Sequence, residues 1–139
     1  MIEFHYESTF ELENASYYSD WITRVIVSEG FRLNELNYIF CEDSYLLEIN
    51  RNYLNHDTFT DIITFDYSQG NELGGDIFIS VERVKENAEI FEVNVDIELK
   101  RVMAHGVLHM MGYNDKSELE SELMRKKENE KIELFHVEQ

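Results

Sequence analysis

The chain has 139 residues, a single cysteine, no proline, and a net charge of −17 from 12 basic and 29 acidic residues. Its length fits one domain, residues 1–139, able to bury about two-thirds of the surface its unfolded chain exposes. The charge argues against broad binding to nucleic acid or anionic membranes, which needs lysine and arginine to neutralise phosphates; lone Cys41 allows no internal disulfide, and no apolar run approaches the roughly 20 residues that span a bilayer.

Residues 1–6 alternate through Ile2, Phe4 and Tyr6, the period of a strand. They lack the basic region and apolar run of a secretory signal, so a soluble cytoplasmic protein without a membrane partner is expected. Tyr18, Trp21, Ile22, Val25 and Ile26 recur at helical spacing over residues 14–28, and Gly30 closes that helix. A second strand is predicted over 36–41, with Leu36, Tyr38 and Phe40 on one face. A helix follows over 43–53, with Leu46, Ile49, Asn50 and Tyr53 along its stripe. Residues 61–67 are β-branched and aromatic, a third strand. Residues 70–75 read as a turn into a fourth strand over 76–80, the two forming an antiparallel hairpin. A helix to about Phe91 comes next. Asn94 or Asp96 then caps a longer helix over 97–111, buried through Leu99, Val102, Met103 and Val107. Ser117 and Glu120 have the spacing of a capping box and open a last helix to about Phe135, with Leu119, Leu123, Ile132 and Phe135 as its core side. The order is βαβαββααα: an α+β fold with a four-stranded mixed sheet, about five helices, and the 97–111 helix packed centrally against the sheet.

That central helix carries the chemistry. Residues 105–115 read H-x-x-x-H-x-x-G-x-x-D. His105 and His109 are one turn apart on one face, so both imidazoles can aim at one point. Gly112 suits a left-handed C′ position, and the turn it makes can return the Asp115 carboxylate toward the same point. Two imidazoles and a carboxylate leave a fourth position open, as in a catalytic divalent-metal site. Two histidines at this spacing also serve as satisfied polar groups at a core edge, and the spacing alone leaves both readings open. The run is similar to the zinc-protease pattern H-E-x-x-H-x-x-G-x-x-H, but Gly106 replaces the glutamate base and Asp115 the third histidine. Gly106 costs a mid-helix position about 1 kcal/mol, so it needs a reason: close packing, or room beside the site.

The same residues, His105-Gly106-Val107-Leu108-His109-Met110-Met111-Gly112-Tyr113-Asn114-Asp115, resemble the hallmark H-G-x-L-H-x-x-G-Y-D-H of the YbeY family of bacterial metal-dependent endoribonucleases. Upstream, residues 49–65 resemble the family's L-N-x-x-Y-R-x-x-D-x-P-T-D-V-L-S-F, and Gly75-Asp76-Ile77-Phe78-Ile79-Ser80 matches its G-D-I-x-I-S. The stretch from Leu123 to Glu130 is similar to its final helix. The resemblance implies zinc as cofactor, cleavage of single-stranded RNA, maturation of ribosomal RNA at the small-subunit 3′ end, ribosomal components as partners, and a cytoplasmic location. It places His105 and His109 at the first two metal ligands and Asp115 at the third, where the family usually has histidine. Catalysis is expected to depend on His105.

Three departures matter. Asp115 gives the site a carboxylate, so Fe2+ or Mn2+ becomes acceptable beside Zn2+. Leu54 stands where the family has arginine, a phosphate clamp, leaving Arg51 or Arg101 to supply one. Phe59 replaces a proline in the loop. Two other functions stay open: a metal-dependent hydrolase of peptides or small amides, and a ribosome-assembly factor with a structural metal. The lining of the cleft separates the first: basic and amide groups favour phosphate, an apolar pocket a peptide. His5 and His136 read as edge residues, and His56 as a loop residue. Asp57 and Asp61 read as turn and cap groups, Tyr113 as a packing residue, and Cys41 as buried and inert.

Overall fold

Alternation through Leu36, Tyr38 and Phe40 sets the centre of the molecule, because all three are fully buried on one side of a strand. In the computed structural model, which describes residues 1–54 and 60–136, that strand is β2 (Arg32–Cys41). It lies between β1 (Ile2–Glu7) and β4 (Glu72–Ser80), parallel to both. β3 (Ile62–Asp66) is antiparallel to β4 at the edge, giving the order β1-β2-β4-β3. The mixed sheet and the β3–β4 hairpin are those expected. The readings made for His56, Asp57, Phe59 and the His136 side chain lie outside the described residues.

One face of the sheet holds the main core. α1 (Ala15–Ser28) lays Trp21, Ile22, Val25 and Ile26 on it, and α4 (Val95–Met110) adds Leu99, Val102, Met103 and Val107. Burying such a side chain is worth about 1.5–3 kcal/mol, so these stripes hold the helices in place. Two buried polar atoms lock the layers. Tyr38 Oη donates to the Met103 carbonyl at 2.9 Å, and Trp21 Nε1 to the Lys131 carbonyl at 2.7 Å. The second bond reaches α5 (Glu118–Glu133), which leads into a short 3-10 helix, Leu134–His136. A smaller core of Cys41, Leu46 and Ile63 lies beneath α2 (Asp43–Leu54). Burial, with the Glu7 and Asp43 charges, pushes the Cys41 thiol up to about 12, consistent with an inert thiol.

α3 (Val81–Ile90) starts on Ser80, whose hydroxyl accepts from the Arg83 N–H. Asn94 caps α4 by accepting from the Ile97 N–H at 2.9 Å. The capping box forms at α5: Ser117 Oγ accepts from the Glu120 N–H and Glu120 Oε1 from the Ser117 N–H.

The structure differs from expectation at element edges and on two helix faces. β2 begins at Arg32 rather than Leu36, because its polar first residues pair with β4 across an irregularity between Leu33 and Leu36. β4 begins at Glu72 rather than Asp76, since Gly74 and Gly75 lie in the strand. On α2, Tyr53 is exposed rather than buried. On α5, Leu119 and Leu123 are exposed, whereas Met124, Glu128, Lys131 and Ile132 are buried. Trp21 and Glu29 both engage Lys131 on that buried row, which fixes the side that faces in. Among the described residues, no helix is long and apolar enough to cross a membrane.

Candidate functional site

α4 crosses the sheet closely where β3 meets β4. A Cβ on Gly106 would lie 2.9 Å from Ile77 Cδ1 and 3.1 Å from Ile62 Cδ1. The glycine is there for helix-to-sheet packing, the first of the two reasons considered. His105 and His109 flank it and line a cleft of about 630 Å³ formed by α2, β3, α3, α4 and α5. Their rings are nearly parallel, with centroids 6.3 Å apart and planes 7° apart.

Past His109 the helix stops in a Schellman turn. Gly112 has φ +104, its N–H donates to the His109 carbonyl, and the Tyr113 N–H donates to the Leu108 carbonyl. The reversal brings Asp115 back, with Oδ2 3.4 Å from His105 Nε2.

Each histidine is held from behind through Nδ1. His105 Nδ1 is 2.7 Å from Glu128 Oε2, and His109 Nδ1 is 3.1 Å from the Tyr113 carbonyl oxygen. A carboxylate and a carbonyl can only accept, so each Nδ1 carries the donating hydrogen and each Nε2 is left for the cleft. Metal-binding histidines are usually oriented this way. It also makes the His105–Asp115 contact informative. In the neutral ring, a lone pair on Nε2 faces a carboxylate oxygen, and the pair needs a proton or a cation between them. Two atoms bound about 2.1 Å from a tetrahedral ion stand about 3.4 Å apart, the separation found here. The His105–Asp115 pair therefore fits two positions in the shell of a divalent ion. Among the described residues, no three His, Cys, Asp or Glu side chains are already gathered closely enough to hold one.

Glu128 is only 4% exposed and is shared three ways. Besides His105, it lies 3.4 Å from Arg101 Nη1 and 3.8 Å from Arg125 Nε. Arg101 also donates to Asn129 Oδ1 at 2.8 Å and approaches Glu98 Oε1 at 3.7 Å. That Glu98 oxygen is buried and accepts no hydrogen bond from the described residues. Burial pushes the Glu98 carboxyl up, only partly opposed by Arg101. Burial also pulls His105 down, but the Glu128 hydrogen bond and charge, with Asp115 and Asp61, outweigh it and leave the imidazole raised. Asp61 is pushed up by burial, with His105 opposing. Its carbonyl accepts from the Ser80 N–H at 3.0 Å, and its side chain, read from the sequence as a turn or cap group, lines the cleft.

Tyr113 packs against the main core and donates to Glu29 Oε1 at 2.6 Å. Glu29 also accepts from Lys127 and Lys131, at 3.2 and 2.7 Å. His5 sits at the sheet edge, half-exposed, 3.0 Å from Asn37 Oδ1. Leu54 lines the cleft; Arg51 does not. Glu128 escaped the sequence reading because a glutamate in a charged helix looks solvated. The available signal was its i, i+4 row with Met124 and Ile132, an acidic residue inside an apolar stripe.

A family model described as "Endoribonuclease YbeY" matches residues 3–136. A curated protein of that name from Flavobacterium johnsoniae is 60% identical over 139 residues, covering 100% of both chains. One from Flavobacterium psychrophilum is 59% identical, covering 100% of this chain and 99% of its own. The solution structure of TM1509 from Thermotoga maritima shares the fold, with a TM-score of 0.64 at 23% identity over 97% of this chain and 89% of that one.

Proposed function

Because the chain belongs to the YbeY endoribonuclease family, we propose that it cleaves single-stranded RNA in the cleft at His105 and acts on ribosomal RNA near the small-subunit 3′ end. Its partners on this reading are ribosomal components, and its place is the cytoplasm. The observation that carries the assignment is the His105–Asp115 pair at 3.4 Å, backed by a buried carboxylate 2.7 Å behind the ring.

His105, His109 and Asp115 are the residues that would hold the metal, zinc first and iron or manganese as alternatives that a two-histidine, one-carboxylate set accepts. Once bound, the ion would supply Lewis acidity toward a phosphoryl oxygen of the strand. The chain's own residues do the positioning. Glu128 keeps the Nδ1 proton of His105 in place, so that Nε2 faces the substrate side. The Tyr113 carbonyl does the same for His109. Gly106 seats α4 close to the sheet and fixes the height of both rings. No glutamate stands between the histidines, so the site lacks the base of a zinc peptidase. RNA brings its own 2′-hydroxyl and does not need that base. The lining supports this reading through Arg101, Arg125, Asn50 and Asn87, basic or amide groups that favour a phosphate.

The test is cleavage of a labelled single-stranded RNA by the wild type, by His105→Ala, and by the wild type with chelator. Both changes should abolish cleavage, and addition of a divalent ion should restore only the chelated wild type. Undiminished cleavage in both would end the assignment.

A further inference from the structure

The cleft is short of free positive charge. Among its described lining residues, the lysines and arginines are Arg101 and Arg125, set against Asp61, Glu98, Asp115 and Glu128. Arg101 is spent. It is 14% exposed and engaged by Glu98, Glu128 and Asn129. Leu54 brings no charge from the α2 side. Arg125 is the cation left facing solvent, 52% exposed. Among the described residues its one ion pair is a long one, 3.8 Å to Glu128 Oε1, an oxygen already shared with Arg101. That contact also locates it: Arg125 is one carboxylate away from His105.

Beside it is Phe91, the residue that ends α3. The ring is 51% exposed and lines the same cleft. Arg125 Cζ lies 5.8 Å from the ring centroid, near the outer limit of about 6 Å for a cation–π contact. A guanidinium held this loosely can turn to an anion without giving up much. An exposed aromatic face at the rim of a polar cleft matches what single-stranded nucleic acid uses, since every base has a π-face to stack.

We propose that Phe91 and Arg125 form a nucleotide subsite at the rim of this cleft. Phe91 stacks on the base of a nucleotide flanking the cleaved bond, and Arg125 pairs with that nucleotide's phosphate. The proposal rests on the endoribonuclease reading and deepens it by naming the substrate contacts. The arrangement reconciles a strongly acidic chain with an anionic substrate, because one unspent guanidinium beside the reacting groups is enough to register the strand. It also predicts stacking without strong base preference, since every base offers a π-face to the ring.

The experiment is fluorescence anisotropy of a short, 2′-O-methylated single-stranded RNA with the full-length protein, titrated over a range of salt. Arg125→Gln should weaken binding several-fold at low salt and reduce the slope of log Kd against log salt by about 0.7, the value for one phosphate contact on a single strand. Phe91→Ala should weaken binding roughly 5- to 100-fold with the slope unchanged, and Phe91→Trp should restore it. On a strand carrying an abasic sugar at the flanking position, Phe91→Ala should lose nothing further. If Arg125→Gln keeps the wild-type slope, or if Phe91→Ala binds as the wild type does, the subsite is wrong. A wild type that binds and cleaves RNA alongside such indifferent variants overturns the subsite alone; a wild type that neither binds nor cleaves overturns the endoribonuclease reading as well.

Discussion

Replacing Glu128 by glutamine preserves its shape and removes its charge. His105 would keep a hydrogen-bond acceptor at Nδ1 but lose the anion that raises the basicity of the ring. If His105 holds zinc as proposed, the expected result is a 10- to 100-fold loss of zinc affinity, measured by competition with a chelating dye, as is usual when a partner behind a histidine ligand is altered. Glu128→Ala goes further and leaves a buried guanidinium and imidazole short of their anion. Breaking such a pair costs about 3–5 kcal/mol, and the lower end is expected because Arg101 keeps Asn129. Urea unfolding of the metal-free protein measures it. This residue also marks the limit of what sequence could tell. The two histidines and Asp115 were legible because helical geometry and one glycine dictate where they go. Glu128 was not, because its role depends on which side of a highly charged helix faces inward, and packing by α1 and α4 decides that.

At the level of elements, starts and stops were legible wherever one side chain enforces them. Ser117 and Glu120 form the reciprocal cap that their spacing predicts, and Asn94 caps α4. Faces and strand ends were less legible. Leu119 and Leu123 are apolar yet exposed, and the first residues of β2 and β4 owe their conformation to each other rather than to local propensity. Two substitutions test these elements. Ser117→Ala removes the hydroxyl that accepts from Glu120 and should cost about 1 kcal/mol, read as a lower urea midpoint at unchanged slope. Gly106→Val places branched carbons against Ile77 and Ile62, which already stand 2.9 and 3.1 Å from a modest Cβ. Overpacking of this kind costs about 1–3 kcal/mol or more, and lifting α4 off the sheet should lower zinc affinity with it. Zinc affinity unchanged in the folded variant would show that the height of α4 does not set the site.

Across the whole molecule, the acidity of the chain has a local exception in Glu29. It terminates α1, and its side chain gathers Lys127 and Lys131 from α5 with the Tyr113 hydroxyl. Burial alone would raise this carboxyl, but the hydrogen bonds from Lys131, Tyr113 and Lys127 overcome it and hold it down at about 2. The unfolded chain takes up this proton near pH 4.5, its ordinary value, while the folded chain resists until about pH 2. The unfolded state therefore binds more protons between those values, and stability falls as pH falls through that window. Above it the contribution is complete, up to about 3 kcal/mol before solvent screening is allowed for. Glu29→Gln should therefore melt lower than the wild type at pH 6, with the difference closing toward pH 2. A constant difference across that range would contradict the assignment.

Tyr113 gives this distant cluster a hold on the histidines. Its backbone oxygen steadies His109 while its phenol grips a carboxylate 84 residues earlier in the chain. The end of the first helix and the imidazole are thus joined through a single residue. On the proposed reading, in which His109 helps hold a metal, damage on the far side of the molecule would weaken that hold with the two histidines and Asp115 untouched.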